Sequence, residues 1–233
     1  MTRTWIWIAV TGIFGAFVFL APGAVLSGRY RADAATWSRV SQLTCGSTAS
    51  NRTQVTLPFT PGDSLTITLP GSVRYRPGDK AEAVVTGDAA LLDHVRIENG
   101  ALSLDCDPSS SRLEIDLTGP AITDWKLLSS ANLTLTDISQ RQLRLTITGS
   151  GNVTATGAVE TVGLRSTGSG VARLKNLVAK SAEIETIGSG GARITAEINA
   201  DVSISGSGNV ELFGHPTLSR SEATGSGRII QAP

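Results

Sequence analysis

A Gly-Ser-Gly tripeptide recurs five times in the second half of the chain, at intervals of 18 to 20 residues. The copies are Gly149-Ser150-Gly151, Gly168-Ser169-Gly170, Gly188-Ser189-Gly190, Gly206-Ser207-Gly208 and Gly225-Ser226-Gly227. Ser129-Ser130-Ala131-Asn132 is a degenerate earlier copy, which gives about six repeats between Leu128 and the C-terminus. A unit this short cannot bury its own apolar face, so successive units must stack on one another.

Apolar and polar residues alternate within every unit. Val153 and Ala155 flank Thr154 after the first tripeptide, and a second alternating run, Leu143 to Ile147, precedes it. A period of two is typical of a half-buried strand, and the density of Val, Ile and Thr opposes a helix. Each unit is therefore predicted to hold two short strands separated by a turn.

Stacked units of this kind pair their strands in parallel. The sequence thus predicts an all-β fold, a parallel β-solenoid (β-helix) with rungs of about 19 residues, where a rung is one turn of the coil. Glycine fits a sharp corner because it accepts a positive φ and the close approach of another backbone. The predicted structural corners are Gly149, Gly151, Gly168, Gly170, Gly188, Gly190, Gly206, Gly208, Gly225 and Gly227. The serine between them is expected to cap backbone groups.

Ligand-binding interpretations of these tripeptides have less support. No copy carries the third glycine of a dinucleotide-binding loop, and the acidic residues keep no nine-residue calcium-binding register. Asn132, Asn152 and Asn209 share one position just after the corner. We interpret them as structural hydrogen-bonding residues rather than as ligand contacts.

Residues 55–128 also have the period of strands. Leu65 to Leu69 alternates apolar residues with threonine, and Pro77-Gly78-Asp79 predicts a turn. Ala89 to Asp93 predicts one short helical turn, and Asn99-Gly100 is a strong hairpin signal. These segments form either a meander or the opening rungs of the same coil.

Residues 1–27 are predicted to be a signal peptide or a membrane anchor. The stretch from Trp5 to Leu26 has no charge and follows Arg3. Its length suits a membrane-spanning helix, whereas its basic start and the small residues near its end suit an export signal. Both interpretations place the rest of the chain outside the cytoplasm, with residues 28–54 as a linker.

The two cysteines, Cys45 and Cys106, predict a disulfide that closes a 60-residue loop, because an exported chain with an even cysteine count usually pairs them. The alternative is two unrelated buried thiols. No metal site is expected, since the only histidines, His94 and His215, are isolated in the sequence.

Charge and aromatic content limit the function classes. With 20 basic and 20 acidic residues the chain has no net charge, which opposes nucleic-acid binding through a basic face. Glu183 and Glu185, with Lys180 nearby, are the candidate residues for a polysaccharide lyase or hydrolase. Such carboxylate pairs more often decorate a solvent-facing strand, and Phe213 is the only aromatic residue after residue 128. Catalysis is therefore the alternative hypothesis.

The order of these features resembles the head GIN domain family of bacterial putative auto-transporter adhesins. The resemblance rests on Gly87-Asp88 with Leu91-Leu92, on Glu98-Asn99-Gly100-Ala101-Leu102, on Gly119-Pro120, and on the corners Gly149-Ser150-Gly151-Asn152-Val153 and Gly206-Ser207-Gly208-Asn209-Val210. It covers roughly residues 54 to 230. The resemblance implies an exported β-helical domain without an established biochemical role, and it carries over no catalytic residue.

These observations favour a non-catalytic module of the periplasm or cell envelope of a Gram-negative bacterium, with a structural or adhesive role. Exposed Thr, Ser, Asn and charged residues would bind an envelope glycan or protein. We expect no cofactor and no nucleic-acid partner. We expect membrane attachment through the N-terminal segment if it is not cleaved, and the solenoid ends offer a route to a homo-oligomer.

Overall fold

Strands make up almost all of the computed structural model, which describes residue 45 and residues 52–60, 62–107 and 113–233. This part is 72% strand and 2% helix, so the all-β prediction is confirmed. The predicted signal peptide or anchor and nearly all of the predicted linker lie outside the described residues. Within the described ranges, no helix is long and apolar enough to cross a membrane.

The described ranges contain fifteen strands and one short helix. In chain order they are β1 (Gln54–Leu57), β2 (Ser64–Ile67), β3 (Gly71–Pro77), β4 (Glu82–Thr86), α1 (Ala89–Leu92), β5 (Val95–Glu98), β6 (Ala101–Leu104), β7 (Leu113–Gly119), β8 (Asp124–Leu127), β9 (Asn132–Gly149), β10 (Asn152–Gly168), β11 (Val171–Gly188), β12 (Gly191–Gly206), β13 (Asn209–Phe213), β14 (Thr217–Gly225) and β15 (Arg228–Gln231).

The second half of the chain is the predicted parallel β-solenoid. Strands β9, β10, β11 and β12 pair in parallel in sequence order, and β13 and β14 together form the next rung on β12. The solenoid has about five turns, so the sequence estimate of about six repeats is one too many. The reason is that a rung lies between two successive corners, so six corners delimit five rungs.

Each long rung is one continuous strand that bends midway, and the prediction of two separate strands per rung is wrong for β9 to β12. The register between β9 and β10 shifts between Ala155 and Gly157. Gly157 has a φ of 126°, and Asp137 on the neighbouring rung has a φ of 57°. Backbone pairing therefore continues through the bend instead of stopping at a loop.

Residues 55–128 contain both structures that the sequence left open. Strand β3 pairs in parallel with the first half of β9, and β8 pairs with its second half, so these strands are an opening rung. Antiparallel strands extend beyond it: β4 pairs with β7 and β1, and β5 pairs with β6. The predicted hairpin at Asn99-Gly100 joins β5 to β6, with φ values of 51° and 70°.

Two ladders of glycine form the corners. Gly168, Gly188, Gly206 and Gly225 have φ between 110° and 131°, and each is in register with the first glycine of the preceding corner. A Cβ on Gly188 would lie 2.5 Å from the carbonyl oxygen of Gly168. A Cβ on Gly190, the second glycine, would lie 2.3 Å from the carbonyl oxygen of Gly170. No side chain fits at either position without moving backbone.

Backbone groups make the hydrogen bonds between corners. The N–H groups of Ser189 and Gly190 both donate to the carbonyl oxygen of Gly168, at 2.9 and 3.0 Å. The bond from the Ser129 hydroxyl to the Leu69 carbonyl and the bond that this hydroxyl accepts from the Ala131 N–H occur only in the degenerate first corner. The predicted serine capping thus applies to that corner among the described residues, and the backbone performs this role elsewhere.

The core lies inside the coil, where the inward side chains of successive rungs stack in columns. Tyr75 and Trp125 fill its wide N-terminal part, with ring centroids 4.9 Å apart. Burial raises the pKa of Tyr75, and its hydroxyl donates to the Pro120 carbonyl at 2.7 Å. Ser166 and Thr186 are adjacent in one column and are 2% and 3% exposed, yet neither hydroxyl has a hydrogen-bond partner in the described part of the chain.

We predict that Gly188→Ala lowers the free energy of unfolding by about 1 to 3 kcal/mol, because an alanine there needs a positive φ and its Cβ meets the Gly168 carbonyl. Gly163→Ala is the matched control, since its Cβ comes no closer than 3.8 Å to any described atom outside its chain neighbours. Urea denaturation measures both. Equal midpoints for the two variants would exclude the corner requirement.

We also predict that Thr186→Val raises the free energy of unfolding by about 1 to 2 kcal/mol, because valine keeps the shape and removes a buried hydroxyl without a partner. Thr167→Val, at an exposed position in β10, is the control and should change stability by less than about 0.5 kcal/mol. Thermal denaturation distinguishes them. A destabilised Thr186→Val protein would mean that the hydroxyl has a partner, such as a buried water.

Candidate functional site

An open groove of about 760 Å³ crosses one face of the solenoid. Its walls are mainly the outward residues on the second halves of β9, β10, β11 and β12, with one residue of β14, and we call this surface the groove face. The polar and charged residues that line it are Gln142, Arg144, Thr146, Thr161, Arg165, Ser181, Glu183, Glu185, Asn199, Asp201 and Ser219. Because the rungs are in register, these residues stand in columns that run across the rungs.

One column of the groove face contains a residue without a side chain. In register, this column contains Arg144, Gly163, Glu183, Asp201 and Arg220. Every member except Gly163 carries a long or charged side chain. Gly163 has ordinary strand pairing, and a Cβ at this position would be in ordinary van der Waals contact with the Arg144 Cγ, at 3.8 Å. A glycine inside a strand often marks a place where a ligand or another backbone approaches closely.

Charges of both signs line the groove. Arg144 pairs with Asp124 at 3.4 Å, and Arg165 pairs with Glu185. Glu183 and Asp201 are direct neighbours on adjacent strands, and Asp201 is also in register with Arg220, which attracts it electrostatically. The described lining of the groove thus has three acidic residues, Glu183, Glu185 and Asp201, and the two arginines.

A column of short polar side chains runs beside the charged one. Gln142, Thr161, Ser181 and Asn199 follow one another in register. Adjacent strands are about 4.8 Å apart, so hydroxyl and amide groups recur at that spacing along the groove. This periodic polar surface suits a ligand that is itself a repeating polar polymer.

The candidate catalytic residues do not form a catalytic set. Glu183 and Glu185 do lie together on the groove face, as their spacing requires, but Glu185 pairs with Arg165. Lys180 pairs with Glu160 at 3.1 Å and does not line the groove. A glycosidase acid is kept protonated by apolar burial, whereas Glu183 is exposed. The two carboxylates thus lie on one face of the groove without the arrangement that a glycosidase pair requires.

Asparagines at the corner make bonds between rungs. The Asn152 side-chain amide donates to the Asn132 side-chain oxygen at 3.1 Å, and the Asn209 side-chain oxygen accepts from the Arg228 N–H at 3.0 Å. These bonds agree with the structural interpretation of the asparagines.

The predicted disulfide between Cys45 and Cys106 is present, with a Cα–Cα distance of 5.2 Å.

His94, which is isolated in the sequence, has a close partner in the structure. Its Nδ1 lies 2.5 Å from Asp105 Oδ1. Asp105 also pairs with Arg96 at 2.8 Å. His94, Asp105 and Cys106 have potential ligand atoms within 4.8 Å of one another, but the Cys106 sulfur is bonded to Cys45. A disulfide sulfur is not the thiolate that binds zinc, so two donors remain and a tetrahedral site is not formed.

The fold and corners define a parallel β-solenoid with no helical layer among the described residues. Residues 63–216 match the family described as "Putative auto-transporter adhesin, head GIN domain". The match covers well over half of the chain, and the chain belongs to this family. The family and the disulfide together indicate an exported protein with a structural or adhesive role.

Three solved structures are similar to this chain at low sequence identity, and the first of them shares its fold. A putative adhesin from Bacteroides fragilis has a TM-score of 0.60 at 18% identity, over 80% of this chain and 100% of that one. A putative lipid binding protein from Parabacteroides distasonis has a TM-score of 0.48 at 18% identity, over 77% and 96%. A putative adhesin from Parabacteroides merdae has a TM-score of 0.44 at 14% identity, over 79% and 98%. Comparison with curated proteins finds no match.

We predict that replacing both cysteines, Cys45→Ser with Cys106→Ser, lowers the free energy of unfolding by about 2 to 4 kcal/mol, because the disulfide closes a long loop in the unfolded chain. Urea denaturation of the oxidised and the double-serine protein measures this difference. The Ser139→Ala variant, at an exposed position on β9, is the control and should match the parent protein. An unchanged midpoint in the double variant would show that the disulfide contributes no stability.

Proposed function

We propose that this chain is a non-catalytic adhesion module of the cell envelope of a Gram-negative bacterium, and that it binds a glycan in the groove above Gly163. The observation that supports this function is the column in which Gly163 replaces a charged side chain. The groove that contains this glycine has a volume of about 760 Å³, which is in the usual range for ligand sites. The N-terminal segment of the chain, residues 1–27, would export the module or hold it at the membrane.

A glycan fits the chemistry of the groove better than an apolar ligand does. Carboxylate, guanidinium, amide and hydroxyl groups all bond to sugar hydroxyls, and the groove supplies each kind, from Asp201, Arg165, Asn199 and Thr161. The polar column repeats with the rungs, which matches the repeat of a polysaccharide. Among the described residues no aromatic side chain lines the groove, so affinity would come from several hydrogen bonds and from length of contact.

The charge of the groove limits the class of glycan that we propose as its ligand. Arg144 and Arg165 already have acidic partners, whereas Glu183 makes no ion pair among the described residues and Asp201 has only the electrostatic attraction of Arg220. A uronate or sulfate polymer would meet the carboxylates of Glu183 and Asp201, and like charges repel. We therefore propose a neutral glycan or one that carries amino groups.

We expect binding to follow the space above Gly163. The full-length protein in mild detergent would be applied to an array of neutral, amino-bearing and anionic glycans, and bound glycans would be titrated by calorimetry. Gly163→Gln fills the groove and should weaken binding about tenfold or more while the chain stays folded, because a Cβ at this position has room. Thr154→Gln, on the first half of the same strand and outside the groove, should bind as the parent does.

Two further results distinguish the hypotheses. The charge-neutralising variants Glu183→Gln and Asp201→Asn should weaken binding of amino-bearing glycans and leave neutral glycans largely unaffected. Binding that is unchanged in Gly163→Gln, or confined to anionic glycans, would overturn the proposed groove. Shortened glycan products, detected by mass spectrometry and lost in Glu183→Gln, would instead support the alternative of a polysaccharide-active enzyme.

A further inference from the structure

The last described rung of the solenoid leaves a strand edge without a partner. One edge of β14 pairs with β12, and no described strand pairs with its other edge. All residues of β14 except the half-buried Leu218 are exposed. A free edge presents N–H and C=O groups that are ready to pair with another strand.

The core is also uncovered at this end. In the inward columns, Ala200, Ile204 and Val210 of the fourth and fifth rungs are at most 2% exposed. Their neighbours on the last strands, Leu218, Ala223 and Ile229, are half-buried or exposed. A solenoid rung that contacts a neighbour on one side only favours a cap or a partner on its other side.

The sequence of β14 is complementary to itself. We propose that two copies of this chain associate end to end by antiparallel pairing of their β14 edges, about a twofold axis at Ser221. In that register Ser221 faces Ser221 of the second copy, Arg220 faces Glu222 of the second copy, and Glu222 faces Arg220. A twofold axis produces each of these contacts twice, which is the form of most protein dimers.

The directions of the side chains agree with this pairing. Arg220 and Glu222 are in register with Asp201 and Ser203, so both point outward. Residues directly opposite each other in an antiparallel pair lie on the same face, and opposite charges there attract. The bulge in β14 comes before Arg220, and from Arg220 to Gly225 the register with β12 is regular.

The side chains of Arg220 and Glu222 are accessible to a second copy of the chain. Arg220 and Glu222 already pair within one chain at 2.7 Å, and their side chains are 52% and 61% exposed. The hydrogen bond from Arg220 lowers the pKa of Glu222, so the carboxylate is ionised at neutral pH. In the dimer two such pairs would form a square of alternating charges. Edge strands that avoid association carry charges of one sign, and these charges would repel each other across the same antiparallel pair.

A charge-reversal series tests the dimer in the full-length protein. In mild detergent, sedimentation over a range of protein concentrations measures the dimer dissociation constant. Glu222→Arg places arginine opposite arginine twice, and we expect at least about a tenfold weaker dimer. Arg220→Glu places glutamate opposite glutamate twice, and it should weaken the dimer to a similar degree. The double variant Arg220→Glu with Glu222→Arg restores opposite charges both within and between chains, and its dissociation constant should return to within about threefold of the parent value.

Cysteine trapping tests the register independently. Both native cysteines are in the disulfide, so Ser221→Cys would add one free thiol at the twofold axis. After mild oxidation, most of this variant should migrate as a covalent dimer without reductant. Ser139→Cys, exposed on β9 and far from the last rung, should stay monomeric on the gel. A monomeric parent at all concentrations, a double variant as weak as the single ones, or equal trapping at both positions would overturn the proposal.

Discussion

The hydrogen bonds between corner glycines hold the solenoid in a single register. The Gly168 carbonyl oxygen accepts hydrogen bonds from two N–H groups of the next corner. It also lies 2.5 Å from the position that a Cβ of Gly188 would occupy. The same contact recurs at Gly206 and Gly225, so each rung begins and ends at the same point of the coil. Inward residues then stack on inward residues, and outward residues form straight columns. Both the core and the groove depend on this alignment.

The sequence predicts the solenoid because its main requirements are local. Glycine at a corner and alternation along a strand are visible in any one unit, and their period excludes other folds. The bend within each rung is less visible, since Asp137 and Gly157 are not a recognisable turn and the hydrogen bonds continue through it. The pairing of β3 and β8 with different halves of β9 joins residues far apart in sequence, and no local pattern specifies it.

The candidate site is less predictable than the fold. Glu183 and Glu185 stand out in the sequence because they are two residues apart, yet their environment is set by Arg165 and Asp201 on neighbouring rungs. Gly163 gives only a weak signal, a glycine at an outward position inside a strand pattern. Its significance appears once the register places it between Arg144 and Glu183. The contact between His94 and Asp105 likewise depends on a hairpin that brings together residues eleven apart.

The repetition of one register at every corner makes a rung an interchangeable length of chain. Gly168 aligns with both Gly149 and Gly188, so excision of the segment between two equivalent glycines would rejoin the glycine ladder without a mismatch. Duplication would lengthen it in the same way. Gene recombination can therefore change the span of such a protein in whole turns, while the face that contains Gly163 keeps its orientation relative to the N-terminal strands. The length of the solenoid and the fold of its N-terminal strands are separable traits in this architecture.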